Sequence, residues 1–246
     1  MLKYTQILTF EVSRQCNLIK EHQHKCPIML IKRSERRITD EMIIKAAVDA
    51  YSLGFEGFIG WSFYNEPCMS YSRILDLMVK IKTLVPQSRF ILWTNGTILV
   101  EDERSKLFDQ VYVTNYNNIS PDKFVKAFGP EVLYKCNPQL DERIDRISKE
   151  PNLERCGLPF DNFLIANDGE VFACCHDWQN DIKIGNLFNS SLEELDKKRW
   201  EHALRVSGKQ MTAEAPYSCK ACKFKWKEEG WDKALLEKAQ QKIKEI

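Results

Sequence analysis

The run Phe58-Ile59-Gly60-Trp61-Ser62-Phe63-Tyr64-Asn65-Glu66-Pro67-Cys68 decides the fold. It is an apolar strand that ends in a turn bearing a carboxylate, a proline and a thiol. The same pattern recurs on both sides of it. Upstream, Ile7 to Val12 alternates like a strand and runs into Ser13-Arg14-Gln15-Cys16-Asn17-Leu18. A long loop with His22, His24 and Cys26-Pro27 follows, and then a helix that Thr39 caps and Gly54 stops, with Asp40 and Glu41 at its positive end. Downstream, Ser70 reads as the cap of a helix with Ile74, Leu77, Met78 and Ile81 on one face, closed by Pro86. Phe90 to Trp93 is a third strand, ending in Thr94-Asn95-Gly96. A short helix over 101–108, a strand from Val111 to Thr114 ending in Asn115, a helix from Ser120-Pro121 to Phe128 and a strand from Val132 to Cys136 complete the series.

Strands alternating with helices, each strand ending in polar residues, predict an α/β fold with a parallel sheet and a site on the loops after the strands. About five or six such strands are too few for a closed eight-stranded barrel, so the expectation is a partial (β/α) barrel. It should occupy residues 1–150. Residues 151–230 form a second, cysteine-rich unit, and 231–246 a C-terminal docking helix with Trp231, Leu235, Leu236, Ala239 and Ile243 at helical spacing.

That second unit holds five of the nine cysteines between Cys156 and Cys222. Asp168-Gly169 lies between Phe163–Ala166 and Val171–Cys174, a hairpin signal, because glycine accepts the positive φ of a tight turn. The hairpin brings Cys156 and Cys174 near one another. Cys219-x2-Cys222 adds a pair whose spacing lets both thiolates face one metal centre. The four make a complete ligand set, for an iron–sulfur cluster or, on spacing alone, for a structural zinc. Cys175 follows Cys174 directly, so strand alternation turns it to the other face.

Bulk properties exclude several classes of function. With Lys+Arg 36 against Asp+Glu 35 the net charge is +1, so no nucleic-acid or membrane partner is expected from electrostatics. No apolar run approaches the ~20 residues of a membrane span, and the start lacks a signal peptide's apolar segment. A cytoplasmic location is expected, where nine cysteines point to metal binding or catalysis rather than disulfides.

The ordered landmarks Glu11-Val12-Ser13-Arg14-Gln15-Cys16-Asn17-Leu18, Cys26-Pro27, Tyr64-Asn65-Glu66-Pro67 and Thr94-Asn95-Gly96 resemble those of the radical S-adenosylmethionine (SAM) enzymes. The stretch from Cys156 through Gly169, Cys174, Ile184-Gly185-Asn186-Leu187 and Ser191–Leu195 to Cys222 is similar to their truncated SPASM, or twitch, iron–sulfur domain. Size and a single cysteine quartet look most like the 2-deoxy-scyllo-inosamine dehydrogenases. The resemblance implies two [4Fe–4S] clusters, SAM, a small-molecule substrate and an electron donor such as a flavodoxin or ferredoxin. It assigns Cys16 and Cys26 to the first cluster and Cys156, Cys174, Cys219 and Cys222 to the auxiliary one. It gives Glu66 to the SAM ammonium, and Asn95 and Asn115 to ribose or substrate.

One departure stands out. The family's first loop reads Cys-x3-Cys-x2-Cys, whereas this chain has Cys16-x9-Cys26 with no cysteine between. The third ligand is then His22, His24, Cys68 or nothing. The activity implied is generation of a 5′-deoxyadenosyl radical and two-electron oxidation of a carbohydrate or aminocyclitol alcohol, with the auxiliary cluster accepting an electron. Peptide modification or epimerisation uses similar architecture. A non-catalytic accessory iron–sulfur protein and a zinc-stabilised binding module are the alternatives from other classes.

Overall fold

The computed structural model describes residues 2–21, 26–129, 132–136, 156–207 and 213–223, with the backbone alone for 133–136. Strands β1 (Ile7–Phe10), β2 (Phe58–Gly60), β3 (Arg89–Thr94), β4 (Gln110–Asn115), β5 (Val132–Cys136) and β6 (Asn162–Ile165) are parallel to their neighbours. Strands β7 (Glu170–Phe172) and β8 (Gly185–Asn186) continue the sheet antiparallel. The order is β5-β4-β3-β2-β1-β6-β7-β8. This is the open, partial α/β barrel expected, with six parallel strands among the described residues.

Helices α1 (Asp40–Ser52), α2 (Tyr71–Leu84) and α3 (Pro121–Phe128) supply the crossovers. Each buries one stripe: Ile43, Ala46, Ala47 and Ala50 on α1, and Ile74, Leu77, Met78 and Ile81 on α2, join Leu8, Phe10, Ile59, Phe90 and Leu92 in one core. Thr39 caps α1 by accepting from the Met42 amide, and Gly54 ends it at φ +87°. Ser70 makes no cap hydrogen bond. The chain enters α2 through a 3₁₀ turn, Pro67–Ser70, capped by the Glu66 carboxylate instead. The short element between β3 and β4 is also 3₁₀, Glu103–Leu107, capped by Asp102.

The hairpin forms at Asp168-Gly169, where Gly169 has φ +81° and a Cβ would stand 2.7 Å from Asn186 Oδ1. Its first strand does more than pair with β7. It lies parallel to β1 in the register Ile7↔Asn162 to Phe10↔Ile165, so the sheet runs unbroken into the cysteine-rich unit. After β8, helix α5 (Leu192–Ser207) starts with a capping box: Ser191 Oγ accepts from the Glu194 amide, and Glu194 accepts from the Ser191 amide at 2.8 Å. Arg199, fully buried on α5, pairs with Asp196. Its guanidinium also donates to the carbonyls of Pro159 and Phe160, in the short helix α4 (Leu158–Asp161), and to the Thr5 hydroxyl before β1. Helix α6 (Tyr217–Lys220) carries Cys219. The expected connection over 138–155 and the C-terminal helix over 231–246 lie outside the described residues. No described helix is long and apolar enough to cross a membrane.

Candidate iron–sulfur and SAM site

Parallel strands direct their ends to one side of the sheet, so the residues after β1, β2, β3 and β4 converge. A cavity of about 160 Å³ lies there, lined by Cys16, Cys26, Glu66 and Asn95 together with Tyr64, Trp93, Thr94, Thr114 and Tyr116. Both thiols are half-buried. Burial raises the Cys16 thiol above its usual range, with smaller contributions from Glu66 and Cys26. Backbone pairing holds the loop, since the Glu66 amide donates to the Gln15 carbonyl at 2.7 Å. Asn17 accepts from Asn95 Nδ2 at 2.9 Å, tying the residue after Cys16 to the end of β3.

Glu66 is buried, and its carboxylate joins two strand ends. Oε1 accepts from the Cys68 amide and from Thr94 Oγ1 at 2.6 Å, while Oε2 accepts from the Asn95 amide at 2.8 Å. Three donors on four lone-pair positions leave one direction on Oε2 for a further hydrogen bond. Gly96 completes the β3 turn at φ +69°, where a Cβ would lie 2.4 Å from Val113 Cγ1.

Other expected residues sit elsewhere. Asn115 does not line the cavity: its amide donates to the Ile119 carbonyl and accepts from the Ile119 amide, closing its own turn. Its neighbours Thr114 and Tyr116 line the cavity in its place. Cys68 faces the core, with its thiol 3.4 Å from Thr94 Oγ1 and pushed well up by burial. It is no part of the cavity lining. Trp61 is fully buried, whereas Trp93 forms cavity wall. His22 and His24 lie outside the described residues, as does the Cys136 side chain.

In the second region the Cys174 thiol is half-buried, and burial, then Cys175, Asp177, Cys219 and Cys156, push it well above the thiol range. Cys156 and Cys219 both pack on Val206 and Ala215. The Cys156 amide bonds to the Val206 carbonyl at 2.7 Å, so α5 fixes the position of Cys156. The Cys219 sulfur is 3.8 Å from Nε2 of His202, a buried ring whose pKa burial lowers to about 4. Cys222 follows at the end of the turn after α6, its amide bonded to the Cys219 carbonyl. Cys175 packs instead with Tyr64, Phe172 and Trp178. Asp177 caps the turn to Ile182 rather than facing a cavity. No three described His, Cys, Asp or Glu side chains are grouped as ligands of a single metal ion.

Sequence reasoning overlooked Tyr64, which lines the cavity and whose hydroxyl donates to the Cys175 carbonyl. It stands between the two cysteine regions. The signal was its place beside Glu66 in a strand-end turn. Also missed was Arg33, which with Glu11 and Arg14 forms a charged group beside it.

Residues 156–223 match the SPASM iron–sulfur cluster-binding domain. The matched span opens at Cys156 and closes one residue after Cys222. Among solved structures the fold is similar to that of BtrN in complex with AdoMet and 2-DOIA, at 21% identity over 89% of this chain and 93% of that one, with a TM-score of 0.66. BtrN in an open conformation matches at 20% identity over 89% and 92%, with a TM-score of 0.62. No curated protein matches the chain in sequence.

Proposed function

We propose that this protein is a radical SAM oxidoreductase that removes two electrons from an alcohol of a carbohydrate or aminocyclitol. The observation that carries the reading is the convergence of Cys16, Cys26, Glu66 and Asn95 on one cavity at the strand ends. The BtrN-like fold and the SPASM span support it from the other end of the chain.

The residues fit the groups implied. Cys16 and Cys26 would hold the first cluster together with a third ligand, for which His22 and His24 are the candidates in the intervening loop. Imidazole is an accepted iron–sulfur ligand. Cys156, Cys174, Cys219 and Cys222 would hold the second. Cys156 and Cys219 share one small apolar cluster with Val206 and Ala215, and the matched SPASM span runs from Cys156 past Cys222. When bound, the first cluster and SAM would supply a 5′-deoxyadenosyl radical, and the second cluster an electron acceptor. Glu66 offers its open Oε2 direction to an ammonium donor. Asn95 holds the Cys16 loop through Asn17. Trp93 and Tyr64 form part of the chamber wall.

A second reading, an accessory iron–sulfur protein that does not cleave SAM, draws on the placement of Cys68 away from the cavity. Anaerobic reconstitution followed by incubation with dithionite and SAM separates the two. The enzyme takes up about eight irons and releases 5′-deoxyadenosine. About four irons and no 5′-deoxyadenosine would establish the accessory protein instead.

A further inference from the structure

Beside the first cavity, sharing Ile28 and Tyr64 with it, is a second one of about 210 Å³ lined by Glu11, Arg14, Ile31 and Arg33. We propose that this cavity binds an anionic group, carboxylate or phosphate, of the substrate through Arg33 and Arg14. The inference rests on the enzymatic reading above and narrows its substrate to an acidic or phosphorylated carbohydrate.

The argument is one of unfilled donors. The Arg33 side chain is 6% exposed and lies over the rings of Phe172 at 4.9 Å and Phe63 at 5.7 Å, which fix its plane. Its Nη2 donates to Glu11, with Oε2 at 3.0 Å. Among the described residues its Nη1 is buried with no hydrogen-bond partner, Asp168 Oδ1 standing 3.9 Å away. Arg14 Nε is likewise buried and without one, although its Nη2 reaches the Ser34 carbonyl and stands 3.5 Å from Asp168 Oδ2. A buried N–H left unmade is costly, and more so on a charged group.

The carboxylate on the cavity wall is already engaged. Both Glu11 oxygens are taken by Arg33 and by the amides of Tyr64 and Asn167. Asp168 does not line the cavity: its Oδ2 accepts from the Ser34 amide, and its Oδ1, without a hydrogen-bond partner among the described residues, lies 3.9 Å from Arg33 Nη1. The cavity therefore presents donors rather than acceptors. An oxyanion with several lone pairs satisfies two guanidinium groups at once. A cationic aminocyclitol nitrogen finds no open acceptor there. Position adds to the case, because the cavity shares Ile28 and Tyr64 with the chamber of Cys16 and Glu66.

The test is binding of glucuronate, glucose 6-phosphate and glucose to the reconstituted protein, by calorimetry, with and without SAM. One anionic sugar is expected to bind at least about tenfold more tightly than glucose, the scale of a charged hydrogen bond. Whichever anion wins identifies the group as carboxylate or phosphate. Arg33→Gln and, independently, Arg14→Gln should each reduce that preference, and Arg33→Lys should restore part of it. Equal binding of all three sugars in the wild-type protein overturns the proposal without recourse to any variant. So does a preference that disappears when SAM is present, which would hand the cavity to the SAM carboxylate. Equal binding alongside 5′-deoxyadenosine release refutes this inference alone; anion preference without that release refutes the enzymatic reading alone.

Discussion

The two cysteine regions are built by different means. Cys16 and Cys26 sit on a long loop over a cavity, positioned by a few hydrogen bonds such as Asn95 to Asn17. Cys156, Cys174 and Cys219 sit among packed elements: a buried hairpin, the apolar side chains of Val206 and Ala215, and α5, which Arg199 bolts to the sheet. An open site suits a cluster that must meet a cofactor and a substrate. A closed one suits a cluster that only exchanges electrons. Tyr64 spans the gap, lining the open cavity and bonding to the strand end of the closed region.

The sharpest way to break this comparison is to remove one thiol from each region. Cys16→Ser should abolish 5′-deoxyadenosine formation and leave about four of eight irons, with the remaining signal insensitive to SAM. Cys174→Ser should also lose about four irons yet keep the SAM-sensitive signal, as iron assay and electron paramagnetic resonance would show. If either variant lost every iron, the two regions would not be independent.

Next in size is the anchor of the closed region. Arg199→Leu leaves Asp196 buried without its partner, and such losses cost about 3–5 kcal/mol. Urea unfolding should show it. Gly169→Ala forces a side chain into a positive φ and onto Asn186, at about 1–3 kcal/mol, readable as a lower Tm. Ser191→Ala removes the cap of α5 and should cost about 1 kcal/mol. Asn17→Ala and Asn95→Ala should leave Tm nearly unchanged and instead weaken SAM binding, since they loosen only the loop. A large stability loss in those two would erase the contrast.

Much of this was legible in the sequence because it is local. The strands and helices follow from periodicity, and Gly54 and Gly169 from their turns. What escaped is long-range. The Asp168-Gly169 signal names one partner for β6 and says nothing of β1, which lies about 155 residues earlier. Ser70 looked like a cap on local grounds, but the carboxylate four residues before it reaches the free amide of the 3₁₀ turn. Asn115 shared its strand-end position with Asn95, yet only a turn four residues long decides that its amide folds back. Arg33 lies in a charged run with Lys32, Arg36 and Arg37 that reads as solvated loop, and only the tertiary fold sets its guanidinium over Phe172.

The most direct test of the account is electron paramagnetic resonance of the reduced, reconstituted protein before and after SAM is added. Two [4Fe–4S] signals are expected, one of which shifts with SAM while the other does not. A single signal indifferent to SAM would contradict it.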